Sequence, residues 1–187
     1  MINTKGFMLL LISVVLLTGC QSMGGNLAHS SADITRDANA ALQNLYANNN
    51  EAKILSKRAK GILVFPGVFK AGFLVGAEYG TGGVLFKKGR TAGYYNIIAG
   101  SYGLQAGAQS FSYVMFFMDE DSLSYLNRSE GWEVGVGPSV VIVDKGFGKS
   151  MTTTTGKDGV YAYILDQKGL MAGIGLQGSK INSIKPD

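Results

Sequence analysis

The stretch GILVFPGVFKAGFLVGAEYGTGGVLF, residues 61–86, carries the decision about fold class. Within it Phe69, Ala71, Phe73, Val75, Ala77 and Tyr79 alternate with Lys70, Gly72, Leu74, Gly76, Glu78 and Gly80. A period of two belongs to a β-strand with two unlike faces. Pro66-Gly67 predicts a turn after the apolar run Ile62–Phe65, and Thr81-Gly82-Gly83 predicts another before Val84-Leu85-Phe86, so the segment reads as a hairpin. Glycines on alternate positions leave one face bare enough for another backbone, or a long side chain, to approach closely. Glu78 shares that face and is expected as an exposed edge charge, with a buried, paired carboxylate as the alternative.

Toward the N-terminus the period lengthens. Asp33 suits a helix N-cap, and Ile34, Ala38, Ala41, Leu42 and Leu45 recur at helical spacing, with Tyr46 widening the stripe. Asn48-Asn49-Asn50 predicts its end. A second short helix is expected over Glu51–Lys60, with Ala52, Leu55 and Ala59 on one side and Lys53, Lys57 and Lys60 in a stripe on another.

Toward the C-terminus, Lys87-Lys88-Gly89-Arg90 predicts a turn, and Tyr94–Met118 is long enough for two strands. Asp119–Arg128 predicts a helix capped by Asp119 or Asp121 with Leu123 and Leu126 inward. Strands are expected over Trp132–Val143, Met151–Leu165 (interrupted by the hairpin signal Lys157-Asp158-Gly159) and Leu170–Ile181. Hairpins dominate, and no helix separates successive strands as a parallel sheet requires. The expected class is α+β: a mainly antiparallel, strongly curled sheet, incomplete barrel or sandwich, with two N-terminal helices and one interposed helix.

The first twenty residues have the grammar of a signal peptide. Lys5 supplies the positive charge, Phe7–Leu17 the apolar run, and Leu17-Thr18-Gly19-Cys20 the small residues before a cysteine. Eleven residues are too few to span a hydrocarbon core that takes about 20 as a helix. The expectation is a lipoprotein signal at 1–19, a lipidated Cys20 followed by a flexible tether to residue 32, and one domain over 33–187. Gln21, in place of Asp, resembles an outer-membrane sorting signal facing the periplasm. Cys20 is the sole cysteine, which excludes an internal disulfide. From Cys20 onward 25 of 168 residues are glycine, about twice the usual share of roughly 7%.

Chemistry-bearing residues are sparse. The sole histidine, His29, lies in the tether, so the common nucleophile–base pairs and His/Cys metal clusters are not available to the domain. No catalytic residue, metal site or cofactor is expected. Asp119, Glu120 and Asp121 stand at a helix start, where capping and the helix dipole favour acids. Gly173-Ile-Gly-Leu-Gln-Gly178 matches G-x-G-x-x-G, but no βαβ unit can follow it so near the C-terminus. The formal net charge is +4, too mild to indicate a nucleic-acid partner, and secretion argues against one. Charge is concentrated instead: residues 51–90 hold eight basic residues against Glu51 and Glu78. Lys53, Lys57, Arg58 and Lys60 are the candidate lipid-headgroup site, with a solvated helix face as the alternative.

The residues also resemble a known family. Ala59-Lys60-Gly61-Ile62 with Phe65-Pro66, Lys70–Phe73 and Gly76–Gly80 are similar to the opening of a SYLF domain. Gly103–Gln109 with Val114–Met118 is similar to its middle, and Lys168–Gly173 with Leu176-Gln177-Gly178 to its end. The likeness runs from about Asp33 to Ile184 and points to the bacterial lipoprotein branch. It implies a non-enzymatic lipid-binding module, phosphoinositides being the eukaryotic ligands, with actin binding in members that carry Src-homology-3 domains. It further implies lipid contact through an amphipathic N-terminal helix and a basic surface, here Lys53, Lys57, Arg58 and Lys60. Val140-Val141-Ile142-Val143 departs from the pattern by being bulkier. The expected partner is a phospholipid membrane, through the acyl anchor and anionic headgroups; a protein-interaction scaffold is the alternative. A transmembrane barrel is disfavoured, because Lys185-Pro186-Asp187 lacks the usual terminal aromatic.

Overall fold

A computed structural model describes residues 30–128, 132–134, 140–143 and 159–186. Three of its strands are very long: β1 Gly61–Lys87, β2 Arg90–Phe117 and β5 Val160–Ile184, of 27, 28 and 25 residues. Between β2 and β5 lie β3 Trp132–Val134 and β4 Val140–Val143. Helices α1 Ser31–Asn48 and α2 Asn50–Ser56 precede β1; α3 Glu120–Ser124 and a 3-10 turn Tyr125–Asn127 follow β2. Within the sheet the order is β1-β2-β5-β3, with β4 also on β5. All pairings are antiparallel except β4 on β5. The class is α+β with an open sheet, as expected.

A straight strand of 27 residues would run about 90 Å, whereas a domain of this size is roughly 40 Å across. The long strands must therefore bend, and they do so at breaks in register: Phe65/Val68, Phe73/Val75 and Gly80/Gly83 on β1, and Ser110/Ser112 between β2 and β5. The two halves of β1 come face to face. A Cβ at Gly83 would overlap the Phe65 ring, and one at Gly61 would lie 3.2 Å from Leu85.

These bends correct several expected boundaries. Pro66-Gly67 and Thr81-Gly82-Gly83 are irregularities inside one continuous strand, not hairpin turns. Pro66 is tolerated because β1 is an edge strand, where a missing N–H removes no essential ladder bond. β2 is likewise one strand instead of two, and β5 joins the two strands expected after residue 151, with positive φ at Asp166 (56°) and Gly169 (94°) marking the junction. Lys157 and Asp158 lie outside the described residues. The hairpin turn between β1 and β2 is Lys88-Gly89, with φ of 50° and 74°, the geometry of a two-residue type I′ turn.

The helix ends shift for local reasons. Ser30, not Asp33, is the N-cap of α1: its Oγ accepts from the Asp33 N–H at 3.2 Å and donates to Asp33 Oδ2 at 2.8 Å. Asn49 serves both helices. Its N–H closes α1 on Leu45 O, and its Oδ1 accepts from the Ala52 N–H at 2.9 Å to start α2. That second helix stops at Ser56, four residues short of the expected end. Asp119 caps α3 as expected, accepting from the Ser122 N–H at 2.7 Å.

Both faces of one half-sheet are buried. On one side Leu63, Phe65, Tyr113, Met115, Phe117 and Ala162 meet Leu85, Ile97 and Ile181 of the other half, sealed by Leu123 and Leu126. Reversed by the strand period, Val64, Val114, Phe116, Tyr161 and Tyr163 meet Ile34, Ala38, Leu42 and Leu45 of α1 with Ala52 and Leu55 of α2. Each fully buried large side chain contributes about 1.5–3 kcal/mol relative to exposure. No helix among the described residues is long and apolar enough to cross a membrane.

Candidate functional site

The basic segment follows directly from the early end of α2. Lys53 lies within the helix; Lys57 is the C-cap with helical φ and ψ (−71°, −21°), so the two remain one turn apart on one side. The N–H groups of Arg58 and Ala59 both bond Leu55 O, closing the turn. Lys60 leaves the helical path, its N–H donating to Phe117 O at 2.7 Å as β1 begins. The expected three-lysine stripe is therefore broken: Lys53 and Lys57 share a helical side, whereas Lys60 is fixed by the sheet. All four cationic side chains are exposed. Among the described residues none of them has an ion pair or side-chain hydrogen bond.

A second feature is a cleft of about 520 Å³ between α1 and the strand bends. Asp37, Ala40, Ala41 and Asn44 of α1 form one wall. Pro66-Gly67, Thr81-Gly82, Ser112 and Asp166 form the other, each at or beside an irregularity of the sheet. Bulges leave backbone displaced from the regular pleat, and here they hollow the floor. Asn44 Nδ2 donates to both carboxylate oxygens of Asp166, at 2.8 and 3.0 Å, fastening the helix across the gap. Ser112 Oγ donates to Pro66 O at 2.9 Å, which ties it to backbone and not to a base. Asp37 accepts from Arg36 Nε at 3.0 Å on the exposed rim.

Two carboxylates make this cleft a poor home for an anion, so it is distinct in place and charge from the basic segment. Sequence periodicity missed Asn44, Ser112 and Asp166 as a group. The turn-like dipeptides Pro66-Gly67 and Thr81-Gly82 were the only pointers, since they marked where the pleat breaks.

Glu78 is not the exposed edge charge expected. It is 5% exposed, on the inner face of the bend beside the buried Gly76 and Gly80. Burial pushes the Tyr113 hydroxyl well above the usual phenol range, and the negative charge of Glu78 adds to that shift. Gly173–Gly178 lies in β5, paired residue for residue with Gln105–Gly100 of β2, which confirms a strand and excludes a phosphate loop. Among the described residues no group of three or more His, Cys, Asp or Glu is placed to hold a metal. Cys20 and His29 lie outside the described residues.

Residues 98–185 match the model of the Ysc84 family, described as a Las17-binding protein actin regulator. No curated protein matches the chain. The matched span takes in most of β2 and all of β5, together with α3, β3 and β4. It includes the middle and closing blocks of the likeness read from the sequence, whereas the opening block and the basic segment precede it. Over residues 98–185, a little under half of its length, this chain is thus similar to the Ysc84 family, a match consistent with the SYLF-domain resemblance of its sequence.

Proposed function

We propose that this protein is a non-enzymatic lipoprotein, held through an acylated Cys20 on the periplasmic side of the outer membrane, whose domain binds anionic phospholipid headgroups. Lys53, Lys57, Arg58 and Lys60 are the contact. One observation carries the reading: four exposed cations within eight residues, none of them in an ion pair among the described residues. Like charges at helical spacing repel by a few tenths of a kcal/mol per pair. An anionic surface offsets this, contributing about 1 kcal/mol for each basic residue near it. Together they supply roughly 4 kcal/mol, equivalent to a Kd near 1 mM without help from the anchor. The signal-like N-terminus supports the anchor, and Gln21 supports the membrane assigned.

Sedimentation with phosphatidylglycerol vesicles tests it, using the mature chain with Cys20→Ser. The parent is expected to bind at low salt and to release as salt shortens the Debye length from about 10 Å at 0.1 M to 3 Å at 1 M. Changing all four cations to Gln keeps helix propensity and removes the charge, so folding survives and binding falls. Equal binding by both proteins would remove this site. The description of the matched family as an actin regulator favours a second reading, a protein-interaction module. That reading wins if neither protein sediments with vesicles and both sediment with actin filaments.

A further inference from the structure

We infer that the convex face of the strand bend is a bilayer-insertion surface, seated in the headgroup–acyl boundary of a phospholipid membrane. This rests on the reading of Cys20 as a membrane anchor, and not on the basic segment.

The alternation that identifies residues 69–79 as a strand is turned inside out by the fold. Phe69, Phe73, Val75 and Tyr79 are 54%, 75%, 64% and 48% exposed, while Gly76, Glu78 and Gly80 on the opposite face are buried. Steric crowding explains the small inner residues, because a Cβ at Gly72 would overlap the Gly76 backbone. It does not explain large apolar residues outside, where polar side chains would serve the fold equally well. The face extends across the register: Tyr79 pairs with the exposed Ile98, Phe73 with the exposed Ala106, and Ala71 with Ala108 and through it Leu170, 87% exposed. A contiguous patch of this kind marks an interaction surface.

Leu74 sharpens the point. It sits at the break in register with φ of 61°, a conformation that disfavours any side chain but suits Asn or Gly. It remains 46% exposed, so the folded chain gains little burial in return.

Charge and tether argue for a bilayer as the occupant. Lys168 is exposed beside this face, in the row Phe69–Ser110–Lys168. No exposed carboxylate occurs at 69–79, 98–101, 106–110 or 167–170. An apolar surface with a cation at its margin and no exposed carboxylate suits an anionic interface. The ten residues from Cys20 to Ser30 reach about 35 Å when extended. They enter α1 where Ser31 O accepts from Tyr94 Oη and Ile34 packs on Gly82, three residues from Tyr79. Tyr94 is four residues along β2 from Ile98, about 14 Å. The bend is thus within the tether's reach. Nine residues of chain, at most about 30 Å, separate Phe69 from Lys60, with the bend at Phe65/Val68 between them.

The test uses the full chain, purified from membranes and reconstituted in phosphatidylethanolamine–phosphatidylglycerol vesicles. An Ala77→Cys variant carries an environment-sensitive fluorophore on the convex face; a Lys88→Cys variant carries it on the distant hairpin turn. Nitroxide-bearing lipids are expected to quench the residue 77 label at least threefold more than the residue 88 label. Adding Phe73→Ser and Leu74→Asn should bring the two labels level, with the melting temperature unchanged or raised because Asn suits the backbone at 74. A residue 77 label reached by aqueous iodide and not by lipid would overturn the inference. So would a label shielded from both quenchers, which would mean a second copy or another protein covers the face. Label uptake by the parent chain would show Cys20 free and remove the anchor together with this proposal. In the variant with all four cations changed to Gln, quenching at 77 should persist; vesicle sedimentation of the Cys20→Ser protein left unchanged by those four substitutions counts against the headgroup site alone.

Discussion

Two glycines on the long strands behave oppositely. At Gly83 an added Cβ runs into the Phe65 ring across the folded sheet, while at Gly100 nothing lies within 4 Å. Gly83→Ala is therefore expected to cost about 1–3 kcal/mol through overpacking of a core that has no slack. Gly100→Ala should be neutral or slightly stabilising, because it narrows the unfolded ensemble without touching a neighbour. Urea unfolding of the two variants separates them, and a similar loss in both would mean strand entropy, not the fold-back, governs these positions. The alternating glycines were legible as a face meant for close approach. Which glycine is pressed was not, because the pressing atoms belong to residues about twenty positions away. Glu78 failed for the same reason: its alternation was plain, but the direction that face points depends on how the strand doubles back.

The elements end where short polar side chains satisfy their termini. Asn49 holds the α1–α2 junction with one backbone and one side-chain bond, so Asn49→Ala should cost about 1 kcal/mol. At the β1–β2 turn Lys88 occupies positive φ, a conformation in which Asn is at home. Lys88→Asn is expected to stabilise by up to about 1 kcal/mol, visible as a later denaturation midpoint with unchanged slope. A destabilised Lys88→Asn protein would contradict the turn geometry. The existence and type of α1, α2, α3 and the long β region were readable from period and composition. Their ends were not always so. Ser30 takes the cap expected of Asp33 because the helix begins earlier, and α2 stops at Ser56 because the chain must turn at Lys60 to pair with Phe117.

The molecule as a whole buries tyrosines on both sides of its doubly covered half-sheet. Burial, with the charge of Glu51 and the neighbouring Tyr161 adding to it, pushes Tyr163 up to about 12; burial and Glu78 raise Tyr113 as well. An unfolded tyrosine titrates near 10. Between that value and the native one the folded state holds more protons than the unfolded state. Stability is therefore intact below about pH 10 and is lost as pH rises toward about 12. Urea unfolding at about pH 9 and about pH 11 should show a falling midpoint in the parent and a smaller fall in Tyr163→Phe, whose ring keeps its edge contact with Phe116 at 5.5 Å. Equal falls would assign the alkaline sensitivity elsewhere.

Local order is what the sequence by itself determined here: the change from helical to strand period at Gly61, the Asp119 cap, the tight turn at Lys88-Gly89, the basic segment, the blocks that resemble a SYLF domain. Each depends on residues a few positions apart, and the chain reports such spacings directly. Tertiary structure alone decided that Pro66-Gly67 and Thr81-Gly82 bend strands instead of ending them, that a cleft opens where those bends meet α1, and that the apolar stripe of residues 69–79 faces outward. These outcomes hang on the folding of a strand some 90 Å long into a domain less than half that size. The period of two cannot specify which side of a strand becomes the inside, because both sides remain equivalent until the two halves of the sheet close on each other.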